Sequence, residues 1–172
     1  MNTLAAVMQL LVAAAFVSIP VVRHRFGPAA KAAAEAELRR QAVRPEVLQE
    51  NNLRFDASGH ETAAPVTVAV VMTAVAALNL AGAGPAQLLT WIFSSLVVLM
   101  NVVIVYSNRT AVKSVEAAFH RKGDPELARV QVAPFLRAAE NAFPGWVRAQ
   151  THLRNTAVFG GSAVALVAVS LA

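Results

Sequence analysis

The sequence predicts an all-α integral membrane protein with four transmembrane helices and two helical cytoplasmic segments. Its 172 residues are 56% apolar and only 15% charged, whereas soluble domains average roughly 25% charged residues. The formally charged side chains fall in two segments, residues 23–61 and 109–154. A charge at the centre of a bilayer costs about 2.5 kcal/mol or more. The uncharged stretches are therefore the predicted membrane segments: residues 1–22, 62–108 and 155–172.

The first predicted span covers residues 3–22, which meet the requirement of about 20 mostly apolar residues. A cleaved signal peptide is the alternative for this segment. No basic residue precedes the apolar run, and no convincing cleavage site interrupts it before Arg23. Since signal peptides carry both features, the pattern favours a retained helix.

The second and third spans come from the uncharged stretch 62–108, which is too long for one crossing. Residues 81–85 read Ala-Gly-Ala-Gly-Pro, and clustered Gly and Pro indicate a turn. We expect spans at residues 65–81 and 86–106, joined by a short external turn at residues 82–85.

The fourth predicted span, residues 155–172, is shorter than the others. It reaches spanning length only if its helix begins near Trp146. In that case Arg148 and Arg154 lie at the membrane interface, where long basic side chains can extend toward the headgroups.

The orientation follows from the basic residues that flank the spans. Cytoplasmic ends carry the excess of Lys and Arg, and here all flanking basic residues fall on one side: Arg23, Arg25, Arg109, Lys113, Arg148 and Arg154. Both termini are therefore predicted outside. The Ala- and Arg-rich composition indicates a bacterial cytoplasmic membrane as the location. The chain is treated as a single membrane domain, residues 1–172.

The first cytoplasmic segment, residues 23–64, contains a predicted break at Gly27-Pro28 followed by a helix over residues 29–43. The apolar residues of that helix are nearly all Ala, which suits a solvated helix or one packed closely on a neighbour. Pro45 is predicted to end it.

The second cytoplasmic segment, residues 108–154, is predicted to continue the third span as a straight helix to Arg121. Asp124 is the expected N-cap of the next helix, and Pro134 is expected to kink that helix. The two segments carry mixed charges without a basic run interleaved with aromatics, so no nucleic-acid partner is predicted.

No catalytic residue, metal site or cofactor is predicted. Cysteine is absent, and the four histidines lack the spacing of a helix-borne zinc site. Four polar residues within the spans are candidates for packing between helices or for lining a path: Asn79, Ser94, Ser95 and Asn101. Four apolar residues near the fourth span are candidates for a partner or membrane surface: Phe135, Leu136, Phe143 and Trp146.

One short string allows a family comparison. Residues 137–144 read Arg-Ala-Ala-Glu-Asn-Ala-Phe-Pro, which resembles the Arg…Glu-Asn-x-x-Pro signature of MAPEG-type membrane enzymes. That resemblance implies a four-helix membrane enzyme that uses glutathione. In that family the string opens the second span, whereas here it precedes the fourth.

The absence of charged groups within the predicted spans weighs against a proton- or ion-coupled pump. The favoured hypothesis is a non-enzymatic accessory, assembly or interaction subunit that acts through its cytoplasmic helices. Its expected partners are the lipid bilayer and other membrane subunits or a second copy of the chain. A small oligomeric channel or transporter is the alternative, and a MAPEG-like glutathione-dependent enzyme is the second alternative.

Overall fold

The computed structural model describes residues 1–55 and 59–171. It is all-helical in that part of the chain, which confirms the all-α part of the predicted class. The elements, in chain order, are α1 (Asn2–Arg40), α2 (Val47–Glu50), α3 (His60–Leu80), α4 (Ala86–Lys122), a 3₁₀ turn (Leu127–Arg129), α5 (Val132–Asn141) and α6 (Trp146–Ser170). Four of these helices, α1, α3, α4 and α6, are long and apolar enough to span a membrane.

The chain divides into two compact units. The span unit comprises Met1–Val21, Ser58–Val105 and Arg148–Ala172, and the polar unit comprises Val22–Ala57 and Tyr106–Val147. Charged residues are concentrated in the polar unit. The span unit contains three of them: Glu61, Arg148 and Arg154. That all of this forms one membrane domain stays a prediction.

The span unit exposes many of its large apolar side chains. Val70 and Leu99 are each 63% exposed, and Leu153 is 71% exposed. Its fully or almost fully buried residues include polar ones: Gln9, Asn79, Thr90, Ser94, Asn101 and Ser162. Water-soluble domains bury apolar residues and expose polar ones. The inverted distribution is therefore the one expected of helices that face lipid.

The predicted turn between the second and third spans is confirmed. Helix α3 ends at Leu80, and Gly82 adopts φ +64°. The N–H of Ala83 donates to the carbonyl of Leu78 at 3.1 Å and that of Gly82 donates to Asn79 at 3.2 Å. This is the Schellman arrangement, in which a left-handed glycine satisfies the last carbonyls of a helix.

The predicted break at Gly27-Pro28 is wrong, because α1 runs without interruption through both residues. A buried stripe explains why. Gly27, Ala30, Ala34 and Leu38 lie on one face of α1 and are all buried, whereas Pro28 is exposed. Proline removes one backbone hydrogen bond, and the packing of this stripe on both sides of Pro28 offsets that loss.

The prediction of a kink at Pro134 is also wrong. Helix α5 begins at Val132, so Pro134 lies in its first turn, where the missing N–H has no carbonyl to meet. Contrary to the prediction, Asp124 is not the N-cap of the next helix, because α5 begins after Gln131. Its Oδ1 instead accepts a 2.8 Å hydrogen bond from the N–H of Glu126, which forms an Asx turn before the 3₁₀ turn.

Helix α1 ends at Arg40, before the predicted end at residue 43, and α3 begins at His60, before the predicted start of the second span at residue 65. Two other boundary predictions agree with the structure. Helix α4 continues past the third span to Lys122, as the sequence indicated. Helix α6 begins at Trp146, which is the start that the fourth span needs to reach spanning length.

We expect Ala42→Gly to stabilise the polar unit. Ala42 lies two residues after the end of α1 and has φ +56°, a left-handed conformation that costs a residue with a Cβ about 1–2 kcal/mol. Ala42 is exposed, so the substitution leaves no cavity. The free energy of unfolding in mild detergent, followed by circular dichroism, should rise by about 0.5–1 kcal/mol.

The matched control is Ala36→Gly, which makes the same chemical change at an exposed position inside α1. It should lower stability by about 1 kcal/mol. Equal destabilisation by both substitutions would contradict the assigned conformation of Ala42.

Candidate functional site

Three buried polar side chains from three helices meet inside the span unit. Gln9 on α1 donates from Nε2 to Oγ1 of Thr90 on α4 at 2.9 Å. Asn79 on α3 donates from Nδ2 to the same Oγ1 at 2.8 Å and to Oε1 of Gln9 at 3.1 Å. Thr90 Oγ1 in turn donates to the carbonyl of Ala86 at 2.8 Å. The network therefore ties α1, α3 and α4 together.

This network is almost closed to solvent. Gln9 and Thr90 are 0% exposed, and Asn79 is 2% exposed. Side chains that bond across helices in a membrane interior contribute about 0.6–2 kcal/mol each. Of the four predicted intramembrane polar residues, Asn79 is the one with side-chain partners on other helices, whereas Gln9 and Thr90 were not singled out from the sequence. The sequence of an apolar run does not indicate which of its mildly polar side chains meet in the folded protein.

The three predicted polar residues of α4 do not share one face. Ser94 and Asn101 are buried together with Thr90, but the neighbouring Ser95 is exposed. A path lined by all of them around one axis would need Ser95 to turn inward.

On uncharged residues of the span unit, three buried polar groups have no hydrogen-bond partner among the described residues. They are Oγ of Ser94, Nδ2 of Asn101 and Oγ of Ser162. Ser162 follows Gly161, where an added Cβ would lie 3.2 Å from the side chain of Val12. The lack of a side chain at Gly161 therefore permits the close approach of α6 to α1.

We expect Thr90→Val to destabilise the span unit, because it removes the shared hydroxyl and leaves the amides of Gln9 and Asn79 short of partners. The cost should be about 1–3 kcal/mol, measured by titrating the detergent-solubilised protein with a denaturing detergent. Ser95→Ala is the control on the exposed face of α4 and should change stability by less than about 0.5 kcal/mol. A neutral Thr90→Val would contradict a stabilising network.

The polar unit has an apolar core of its own. Phe135 of α5 is 0% exposed and packs in this core with residues of α1, α2 and α4: Ala30, Ala34, Leu38, Val47, Leu48 and Phe119. The Ala-rich face of α1 is therefore packed closely on neighbours.

The four predicted surface residues differ in how deeply they are buried in this core. Phe135 lies inside it, and Leu136 and Phe143 are partly buried against it. Trp146 is 53% exposed and contacts the ring of Phe26 edge-on, with 5.7 Å between ring centroids. Of the four, Trp146 is the one that presents a large apolar surface.

Two polar contacts hold the loop after α1 to the loop before α5. Nη2 of Arg44 donates to Oε2 of Glu126 at 2.8 Å, and Nε of Arg44 donates to both carboxylate oxygens at 3.0 and 3.1 Å. The side chain of Gln41 donates to the carbonyl of Gln131 at 3.3 Å and accepts from its N–H at 2.8 Å. Hydrogen bonds from the Arg44 side chain lower the pKa of the Glu126 carboxyl below its usual value.

This pKa shift predicts a pH dependence of stability. Because the folded-state pKa of Glu126 lies below its unfolded value near 4.5, its stabilisation is present above that pH and is lost as the pH falls through the lower folded-state pKa. Thermal melts should therefore show Glu126→Gln less stable than wild type at pH 7, with the difference vanishing in strong acid.

Added salt should also shrink this difference, because the ion pair is exposed. Glu116→Gln, at another exposed glutamate of the polar unit, is the control and should follow the wild-type profile. A difference between wild type and Glu126→Gln that persists in strong acid would show that the ion pair is not its source.

The described residues hold no group of three His, Cys, Asp or Glu side chains arranged to bind a metal ion. The side chain of His60 lies outside the part of the chain that the structure describes, whereas His24, His120 and His152 are exposed. His120 and Glu116 border a shallow pocket beside Phe119 and Leu127.

The string that resembles the MAPEG signature lies on α5 and the turn after it. Arg137, Glu140 and Asn141 are exposed there, on a helix of 10 residues that is too short to cross a bilayer. No protein-family model, curated protein or solved structure matches the chain.

Proposed function

We propose that this chain is a small bacterial multi-pass membrane protein that acts as a non-enzymatic accessory or assembly subunit and binds its partner through the polar unit. The observation that supports this most is the closed core of the polar unit around Phe135. Segments that fold onto a core of their own present a preorganised surface, and preorganisation lowers the entropic cost of binding.

The charge distribution supports the orientation in this proposal. The basic residues that flank α1, α4 and α6 lie at the ends of those helices where the chain enters or leaves the segments of the polar unit. Lys and Arg are enriched in cytoplasmic segments. The polar unit is then cytoplasmic, and both termini of the chain lie outside.

The proposed docking surface is the exposed face of α5 and the residues that follow it. Arg137, Glu140 and Asn141 provide charged and polar groups, and Trp146 adds an exposed aromatic ring. Aromatic residues and arginine are enriched where proteins bind each other. The mixed charges suit the polar segment of another membrane subunit.

Photo-crosslinking in the source bacterium tests this surface. A photoreactive phenylalanine analogue replaces Arg137 or Glu140, both exposed on α5, and a control replaces Leu99, which is 63% exposed in the span unit. We expect the same discrete protein adduct from both α5 positions. An adduct of that mass is not expected from Leu99.

The adduct should weaken when Trp146→Ala is introduced. Absence of a protein adduct at both α5 positions, in cells where the protein is folded and abundant, would overturn the proposed surface. An adduct of identical mass from Leu99 would move the interface into the membrane.

A further inference from the structure

Helix α4 carries two basic side chains on one face without a negative partner. Arg109 and Lys113 are both exposed, and residues four apart on a helix are neighbours, with about 5–6 Å between their Cβ atoms. Neither side chain forms an ion pair among the described residues. Like charges at this spacing repel each other, so an anion that contacts both side chains would be bound favourably.

The acidic side chains of the polar unit do not compensate this pair. Glu116, the acidic residue of α4, lies three residues beyond Lys113 and forms no ion pair with it in the described part of the chain. Four other acidic residues form ion pairs with other bases: Glu35 with Lys31 and Arg39, Glu37 with Arg40, and Glu50 and Glu126 with Arg44. The fold therefore leaves positive charge at Arg109 and Lys113 that a partner outside the chain can neutralise.

The two bases follow directly after the apolar part of α4. Tyr106 is the residue at which α4 passes into the polar unit, and its side chain is 67% exposed. Arg109 and Lys113 follow Tyr106 by three and seven residues, which is the spacing of one helix face. Tyr, Lys and Arg are enriched where a membrane-spanning helix meets the head groups of the lipids. This face of α4 therefore has the composition of a membrane interface.

The direction of the two basic side chains fits the same interface. Cα–Cβ bonds in a helix tilt toward its N-terminus, and the apolar part of α4 is N-terminal to Arg109. The side chains of Arg109 and Lys113 therefore incline toward the apolar part of the helix. Their flexible stems allow the charged groups to remain in the head-group layer.

We propose that Arg109 and Lys113 bind the phosphate of an anionic phospholipid, with the ring of Tyr106 beside the glycerol and the upper acyl chains. Arginine donates two hydrogen bonds to phosphate oxygens, and lysine adds a compact positive charge. A lipid with net negative charge suits the pair better than a zwitterionic lipid, because the cationic group of the latter repels both bases. The site rests on the membrane location given in the proposed function and does not involve the docking surface on α5.

Thermal melts of the purified protein in neutral detergent test this site. The added probes are phosphatidylglycerol, zwitterionic phosphatidylcholine and inorganic phosphate. Because a ligand that binds only the folded state raises the melting temperature, the concentration dependence of that rise gives an apparent affinity. We expect phosphatidylglycerol to bind more tightly than phosphatidylcholine, and added salt should reduce this difference by screening the charges.

Arg109→Gln and Lys113→Gln should each weaken the apparent affinity for phosphatidylglycerol about fivefold, the loss expected for one basic residue near an anionic lipid surface. Circular dichroism checks the folding of each variant, and Lys113→Gln by itself decides the outcome if Arg109→Gln does not fold.

The matched control is Arg121→Gln, which removes an exposed base of the same helix. Arg121 lies about 18 Å beyond Arg109 along α4, which exceeds the Debye length of about 8–10 Å in physiological salt. This substitution should leave the affinity for phosphatidylglycerol unchanged. An equal loss of affinity in Arg121→Gln and Arg109→Gln would show general electrostatic attraction and would overturn the inference.

Two further results would also overturn it. A response to phosphatidylcholine or to inorganic phosphate as large as that to phosphatidylglycerol would show that no anionic lipid is selected. Flotation with phosphatidylcholine vesicles separates this failure from that of the proposed function. A protein that floats but does not prefer phosphatidylglycerol lacks this site, whereas a protein that does not float contradicts the membrane location on which both proposals rest.

Discussion

The cost of an unpaired polar group in an apolar medium is the constraint on which this structure depends. Helix α4 shows it most clearly. Its buried face carries Thr90, Ser94 and Asn101, while its exposed face carries large residues such as Leu99. Where lipid replaces water, the outside of a bundle becomes its most apolar part and polar groups move inward to find partners. The same cost explains why nearly all the charges of this chain are found in the polar unit.

Polar groups inside the span unit fall into two sets with different consequences. Gln9, Asn79 and Thr90 satisfy one another and thereby link three helices. Asn101 and Arg154 instead keep donors without partners among the described residues. A closed network stabilises and orients helices, whereas a buried donor without a partner lowers the stability of the fold. The closed set is therefore part of the scaffold that holds the three helices together.

The polar unit follows the opposite rule, as expected of a domain in water. Small residues on α1 allow its neighbours to approach closely, and Phe135 fills the centre of the resulting core. At the surface, Glu126 and Arg44 join two loops that are distant in sequence. Loops held in this way keep their side chains in fixed positions. A docking surface on the adjacent α5 would be preorganised by the same contacts.

The sequence alone determined the helical class, the four candidate spans and the turn at residues 81–85, because these depend on long apolar runs and on local Gly and Pro chemistry. It did not predict that α1 continues through Pro28 or that Pro134 opens α5, because a proline breaks a helix only where packing cannot offset the lost hydrogen bond. Nor could it pair Gln9 with Thr90 or with Asn79. Those pairs join residues far apart in the chain, and their meeting depends on the faces and depths at which the helices pack. Only the tertiary structure decides those.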